Sequence, residues 1–249
     1  MARRFAIRPG TLVPIAHSAV RELGAGLLIV ALLTEIVRLL TTAPITLHLG
    51  VGSLYLGMAG LLLGWWPTGR SGFGWANRIT LLRGVLIAIF TGLLWMPTLL
   101  TRHVELVMGI ALVALLLDGV DGWVARRTAT TSTFGARFDM ELDAFFILML
   151  CVAVMQLDKV APWILAIGAL RYLFVAASWA WPWLRADLPE SRRRKTFCVW
   201  QVITLLVILL PFISETTATG LAALSLLLLS SSFLIDGLWL YRQHTVNAT

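Results

Sequence analysis

Apolar runs of roughly 18 to 22 residues recur along almost the whole chain, each long enough to cross about 30 Å of hydrocarbon as a helix. A chain built this way cannot bury all its apolar surface against itself. Its folding medium is therefore lipid, where backbone N–H and C=O groups must be satisfied within each segment, and that requirement favours helices. Composition agrees: 59% of residues are hydrophobic, 13% are charged and the mean hydropathy is +0.86. The expected fold is all-α, a polytopic membrane helical bundle.

The runs predict eight spans, at about 22–40, 48–66, 78–97, 104–123, 137–157, 161–183, 197–213 and 219–241. Glu35 and Arg38 interrupt the first, but their i,i+3 spacing predicts an ion pair near the helix end. Arg3, Arg4 and Arg8 precede that run without a clear small-residue cleavage site, which reads as a retained helix and not a removed signal. The segment Pro67–Gly74, with three glycines, is the expected linker between an N-terminal membrane extension of about two helices (1–66) and a six-helix core (67–249).

The basic residues orient the bundle. With an even number of spans both ends share one side, and Arg3, Arg4, Arg8, Arg21, Arg70, Arg78, Arg126, Arg127, Arg137, Arg185, Arg192 to Lys195 and Arg242 all fall there; only Arg38, Arg102 and Lys159 fall opposite. By the positive-inside rule the first side is cytoplasmic, giving a multi-pass protein of the cell (inner) membrane. The net charge of +7 is thus a topology signal, and a nucleic-acid partner is not expected. Eleven tryptophans suit a protein with many helix ends at the headgroup level. Cys151 and Cys198 lie in apolar runs without zinc or disulfide spacing and are expected to pack inside helices. His17, His48, His103 and His244 are too scattered for a histidine metal motif. No internal repeat supports an inverted-repeat transporter.

The chemistry concentrates in residues 117–144, LDGVDGWVARRTATTSTFGARFDMELDA. Asp118 and Asp121 are three apart and Asp139 and Asp143 four apart, so on helices each pair projects from one face. The connection between them turns the second helix back on the first, and four carboxylates converge at the cytoplasmic end. One carboxylate at a helix centre costs about 2.5–3.5 kcal/mol on the insertion scale, so a cluster demands positive charge. Oxygen ligands without His or Cys point to Mg²⁺ or Mn²⁺, and this many carboxylates can hold two ions. Two ions suit displacement at phosphorus. Gly119 and Gly122 remove side chains beside the carboxylates, Gly135 lets the returning helix start under the same site, and Arg126 offers a planar guanidinium to a phosphate.

Asp118-x2-Asp121-Gly122-x2-Ala125-Arg126-x8-Gly135-x3-Asp139-x3-Asp143 resembles the full signature of the CDP-alcohol phosphatidyltransferases at every fixed position and spacer. The resemblance implies a six-helix membrane core from about Pro67 onward and the transfer of a phosphatidyl group from CDP-diacylglycerol to a small alcohol, with release of CMP. It makes Asp118, Asp121 and Asp139 the main metal ligands and Asp143 both a ligand and the base for the acceptor hydroxyl. It places Gly122, Ala125, Arg126 and Gly135, with Ser132, at the CDP moiety. Asn77-Arg-Ile-Thr80, in the stretch running on to Arg83, is similar to the family's Asn-x2-Thr element beside the nucleotide. The family also implies a homodimer.

For the acceptor, a phosphorylated alcohol needs cations, and the candidates are Arg171, in the middle of an apolar span, and the run Arg193, Arg194, Lys195. Glu141 points away from Asp139 and Asp143 and is expected to pair with an arginine. Resemblance to phosphatidylglycerophosphate synthases is partial: those enzymes usually carry Lys after the final aspartate and an Arg-Glu pair later, where this chain has Ala144 and Arg171-Tyr172. Glycerol 3-phosphate leads as acceptor, with serine, inositol phosphate or another alcohol as alternatives. A membrane prenyltransferase would separate its two aspartate motifs into different halves of the chain. A divalent-cation transporter would leave Gly122, Ala125 and Arg126 unexplained.

Overall fold

The computed structural model describes residues 17–67, 72–127, 132–186, 189 and 191–248. Among them the chain is helical without strands. In order the helices are α1 (His17–Thr41), α2 (Thr46–Gly64), α3 (Trp75–Leu94), α4 (Pro97–Arg102), α5 (Val104–Arg127), α6 (Thr133–Gln156), α7 (Leu165–Ala180), α8 (Arg192–Ile208) and α9 (Glu215–Ala248). Eight long helices stand where the apolar runs predict them. The ninth, α4, is a single proline-started stretch between α3 and α5 that hydropathy does not mark.

Among the described residues, five helical stretches can cross a membrane by length and composition: 18–41, 46–64, 75–94, 162–180 and 215–245. At 24 residues α5 and α6 are equally long, but α5 carries Glu105, Asp118 and Asp121, and α6 carries Arg137, Asp139, Glu141 and Asp143. What sets these two helices apart is the charge they carry, the acidic cluster included.

Four boundaries depart from the expectation by five residues or more: the start of α1, both ends of α8 and the end of α9. Helix α8 starts at Arg192 and not near 197, because Arg193 and Arg194 reach Asp236 on α9 and hold the first turn in place. Helix α9 runs to Ala248 and not 241; at 1.5 Å per residue its 34 residues exceed the bilayer core, and its polar last turns extend beyond.

Helix α3 lies at the centre. Fourteen of its twenty residues are buried, and it contacts α1, α2, α5 and α6. Small residues allow this crowding: a Cβ on Gly84 would lie 2.6 Å from Met58 Sδ, and one on Gly92 2.4 Å from a Val51 methyl, so α2 packs directly onto α3. The helix opens at Gly74, whose φ of 87° suits glycine.

The first two helices are fastened to the rest by polar and aromatic contacts. Arg78 on α3 donates to both carboxylate oxygens of Glu22 on α1, at 2.6 and 3.1 Å. Trp66 stacks on Phe73 at 5.8 Å and meets Phe134 edge-on at 5.2 Å, and the Arg137 guanidinium lies 4.2 Å over the Trp65 ring. Arg38 and Glu35 form the expected pair through two 2.7 Å hydrogen bonds. Cys151 is buried as expected; Cys198 is on a helix but exposed.

Candidate active site

Three helices build the site. The last turns of α5 carry Asp118 and Asp121, the first turns of α6 carry Asp139 and Asp143, and α3 faces both pairs with Asn77, Thr80 and Arg83. The i, i+3, i+6 spacing of these three aligns them along one side of α3. Helix α6 starts where it does because Ser132 caps it, its hydroxyl accepting the Gly135 N–H at 3.0 Å. That cap fixes Asp139 and Asp143 about two and three turns further on.

Among the described residues, all four aspartates meet one cation, Arg83. Its Nη1 lies 2.7 Å from Asp118 Oδ1, 3.0 Å from Asp121 Oδ2 and 2.7 Å from Asp139 Oδ1, and its Nη2 contacts Asp143 Oδ1. The Arg83 side chain is 1% exposed, whereas those of Asp118, Asp139 and Asp143 are 34–41% exposed. The carboxylates therefore form an open rim over a buried guanidinium. Asp121, also buried, additionally accepts a 3.0 Å hydrogen bond from the Thr80 hydroxyl. Arg83 ends the Asn77-x2-Thr80 stretch, and the sequence pattern assigns it no role. The rule that singled out Arg171, that a cation inside an apolar span needs a reason, applies equally to Arg83.

The donor set fits a hard divalent cation. Asp118, Asp121 and Asp139 each offer a carboxylate oxygen, all within 4.8 Å of one another, and these oxygens suit Mg²⁺ or Mn²⁺ better than a softer metal. Asp143 stands beside this trio. Among the described residues, four carboxylates against one guanidinium leave an excess of negative charge that a divalent ion would reduce.

The nucleotide candidates gather at the same end. A Cβ on Gly135 would fall 2.5 Å from Asn77 Oδ1, so α6 approaches α3 closely only because residue 135 is glycine. The Asn77 amide donates to the Phe73 carbonyl at 2.5 Å, and Ser132 serves as the α6 cap. Nothing lies within 4 Å of a Cβ on Gly119, so that position opens outward instead of packing on a helix. Gly122 is half-buried on α5. The side chains of Ala125, Arg126 and Lys195 lie outside the described residues.

The acceptor candidates Arg171, Arg193 and Arg194 have acidic partners. Arg171 Nη2 donates to Glu141 Oε1 at 2.7 Å, which gives Glu141 its expected arginine, while Arg171 Nε has no hydrogen-bond partner among the described residues. Arg193 Nη2 donates to Asp236 Oδ1 at 2.5 Å, and Arg194 lies 3.5 Å from the same oxygen. Two apolar grooves flank the core. One of about 560 Å³ between α2, α3, α6 and α7 includes Glu141 and Tyr172. The other, about 810 Å³, runs between α5 and α8 past Leu112, Leu115, Ile203 and Leu206, ending one turn before Asp118.

The family model of the CDP-alcohol phosphatidyltransferases matches residues 73–234, more than half the chain. No curated protein matches the chain. No solved structure does either.

Proposed function

The chain belongs to the CDP-alcohol phosphatidyltransferase family, and on that premise we propose that it transfers the phosphatidyl group of CDP-diacylglycerol to glycerol 3-phosphate with release of CMP. The family makes it a phosphotransferase of phospholipid synthesis, and its apolar helices make it a membrane protein. The observation that carries the finer reading is the convergence of Asp118, Asp121 and Asp139 within 4.8 Å, with Asp143 beside them.

In this reading Asp118, Asp121 and Asp139 hold the metal, with Asp143 as a further ligand. Two Mg²⁺ or Mn²⁺ ions, when bound, neutralise the pyrophosphate and stabilise charge at the reacting phosphorus. Gly122, Ala125 and Arg126 on α5, with Ser132 and Gly135 at the start of α6 and Asn77 and Thr80 on α3, surround the CDP group. Arg126 supplies a guanidinium to its phosphates. Asp143 accepts the proton of the acceptor hydroxyl, whose oxygen bonds to the β-phosphorus as the bond to CMP breaks. The groove between α5 and α8 gives the acyl chains an apolar path ending one turn from Asp118.

Arg171 and the group Arg193, Arg194, Lys195 receive the acceptor phosphate. For Arg171 the support is its unused Nε, since an arginine carries five N–H donors and Glu141 takes only one. The site faces the cytoplasm of a cell (inner) membrane protein, residues 1–66 form a membrane extension to a core at 67–249, and the enzyme works as a homodimer. A second reading has an observation of its own: Glu141 and Asp236 already neutralise Arg171 and Arg193, which favours a zwitterionic acceptor such as serine over an anionic one.

The test is to incubate the purified protein with CDP-diacylglycerol, Mg²⁺ or Mn²⁺ and glycerol 3-phosphate, serine or inositol phosphate, and to measure CMP and the new lipid. Glycerol 3-phosphate should yield both products. Release of CMP with serine alone selects the second reading, and no CMP with any alcohol removes both.

A further inference from the structure

We propose that Arg83 is an internal counter-cation that holds the four aspartates together when no metal is bound and gives way to the divalent ions, so that it sets the metal affinity of the site. The inference deepens the two-metal reading and rests on it for the identity of the competing ion.

The contact geometry supports this. Nη1 stands among Asp118, Asp121 and Asp139 at 2.7–3.0 Å, the same three carboxylates whose oxygens lie close enough to share an ion. An Nη group has two hydrogens, so three carboxylates compete for them, and the arginine satisfies the cluster only in part. A divalent ion brings the same oxygens in to about 2.0–2.1 Å, and three carboxylates cannot surround Nη1 and that ion at once.

The arginine is also built to yield. All its contacts are made at the two Nη tips, while Nε has no hydrogen-bond partner among the described residues, so no bidentate fork locks the guanidinium to one carboxylate. Thr80 anchors Asp121 independently, through its 3.0 Å hydrogen bond, so one ligand stays placed as the guanidinium moves. Without Arg83 the four carboxylates would face one another with no cation in contact among the described residues, which is unfavourable above all for the buried Asp121. A positioning residue of this kind raises the stability of the metal-free protein and lowers the affinity for metal, because what stabilises one state is lost on passing to the other.

The experiment compares the full chain in detergent as wild type, Arg83→Gln and Arg83→Lys, reading thermal unfolding in EDTA and in Mn²⁺, and Mn²⁺ affinity by electron paramagnetic resonance. In Arg83→Gln the unfolding temperature should fall by about 5 °C or more in EDTA, recover most of that loss in Mn²⁺, and be accompanied by Mn²⁺ binding roughly tenfold tighter. Arg83→Lys, which keeps the charge, should lie between. If Arg83→Gln does not fold, adding Asp139→Asn should restore folding in EDTA by removing one repelling charge; failure to restore it overturns the proposal. Equal destabilisation with and without Mn²⁺, or weaker Mn²⁺ binding, also overturns it, because packing alone would then account for Arg83. A wild type that releases no CMP but shows the predicted pattern removes the phosphotransfer reading and leaves the role of Arg83 in place.

Discussion

Glu141 on α6 and Arg171 on α7 are joined by a 2.7 Å ion pair, while Asp139 and Asp143, on the same stretch of α6, contact Arg83 on α3 instead. One helix therefore divides its carboxylates between two arginines on different neighbours. If Arg171 serves the acceptor, Arg171→Ala should raise the acceptor KM about tenfold, worth about 1.4 kcal/mol, with CDP-diacylglycerol affinity nearly unchanged. Steady-state kinetics with each substrate varied in turn checks this. A fall in unfolding temperature with both KM values intact would assign the pair to helix packing alone.

Asp143 stands beside the trio that offers three close oxygens. Asp143→Asn keeps the shape and removes the base, so turnover should drop by about 10²–10⁴-fold, the usual worth of a positioned general base. Folding should be preserved, and Mn²⁺ binding should fall less than in Asp121→Asn. Persistent turnover in Asp143→Asn sinks the proposed base.

Removal of divalent metal should abolish CMP release, and adding Mg²⁺ or Mn²⁺ back should restore it, whereas Zn²⁺ should restore little because the donors are all oxygen. Titration of metal into chelator-stripped protein, with CMP as the readout, checks both halves of the statement.

Gly135 separates packing from chemistry. A Cβ there would lie 2.5 Å from Asn77 Oδ1 and 3.1 Å from Ser132 Oγ, so Gly135→Ala must displace either the α6 cap or Asn77. Overpacking of this kind costs about 1–3 kcal/mol. Turnover should fall about tenfold or more, since Asp139 and Asp143 depend on where α6 begins, while Gly119→Ala, which meets nothing within 4 Å, should leave stability unchanged. Parallel melting curves and CMP assays of the two variants test the contrast.

The aromatic contacts of Trp66 with Phe73 and Phe134 link the end of the second helix to the start of α6. Trp66→Ala should destabilise the protein by about 3–5 kcal/mol if the ring is fully buried and by less in its half-buried setting, and should lower turnover through the α6 start. Unchanged turnover in a destabilised Trp66→Ala protein would mean that the first two helices support the bundle without reaching the site.

Much of this protein is legible in the chain itself because membrane insertion enforces a local rule. Each span must be long enough and apolar enough on its own, so the positions of eight long helices follow from hydropathy, and the spacing of Asp118, Asp121, Asp139 and Asp143 places each pair on one helix face. Glu35 with Arg38 could be paired for the same reason, being one turn apart. Partners distant in sequence were another matter. That Glu141 would take an arginine could be read, but not that it would be Arg171; that a cluster of aspartates needs a cation could be read, but not that Arg83 would reach all four. Arginine side chains are long and carry donors in several directions, and which carboxylate they meet depends on how α3, α5, α6 and α7 pack. The chain by itself determined a bundle of apolar helices with an acidic, cation-seeking end. Only the tertiary structure decided which cation the protein supplies from within, because that contact joins helices separated by up to 60 residues of sequence.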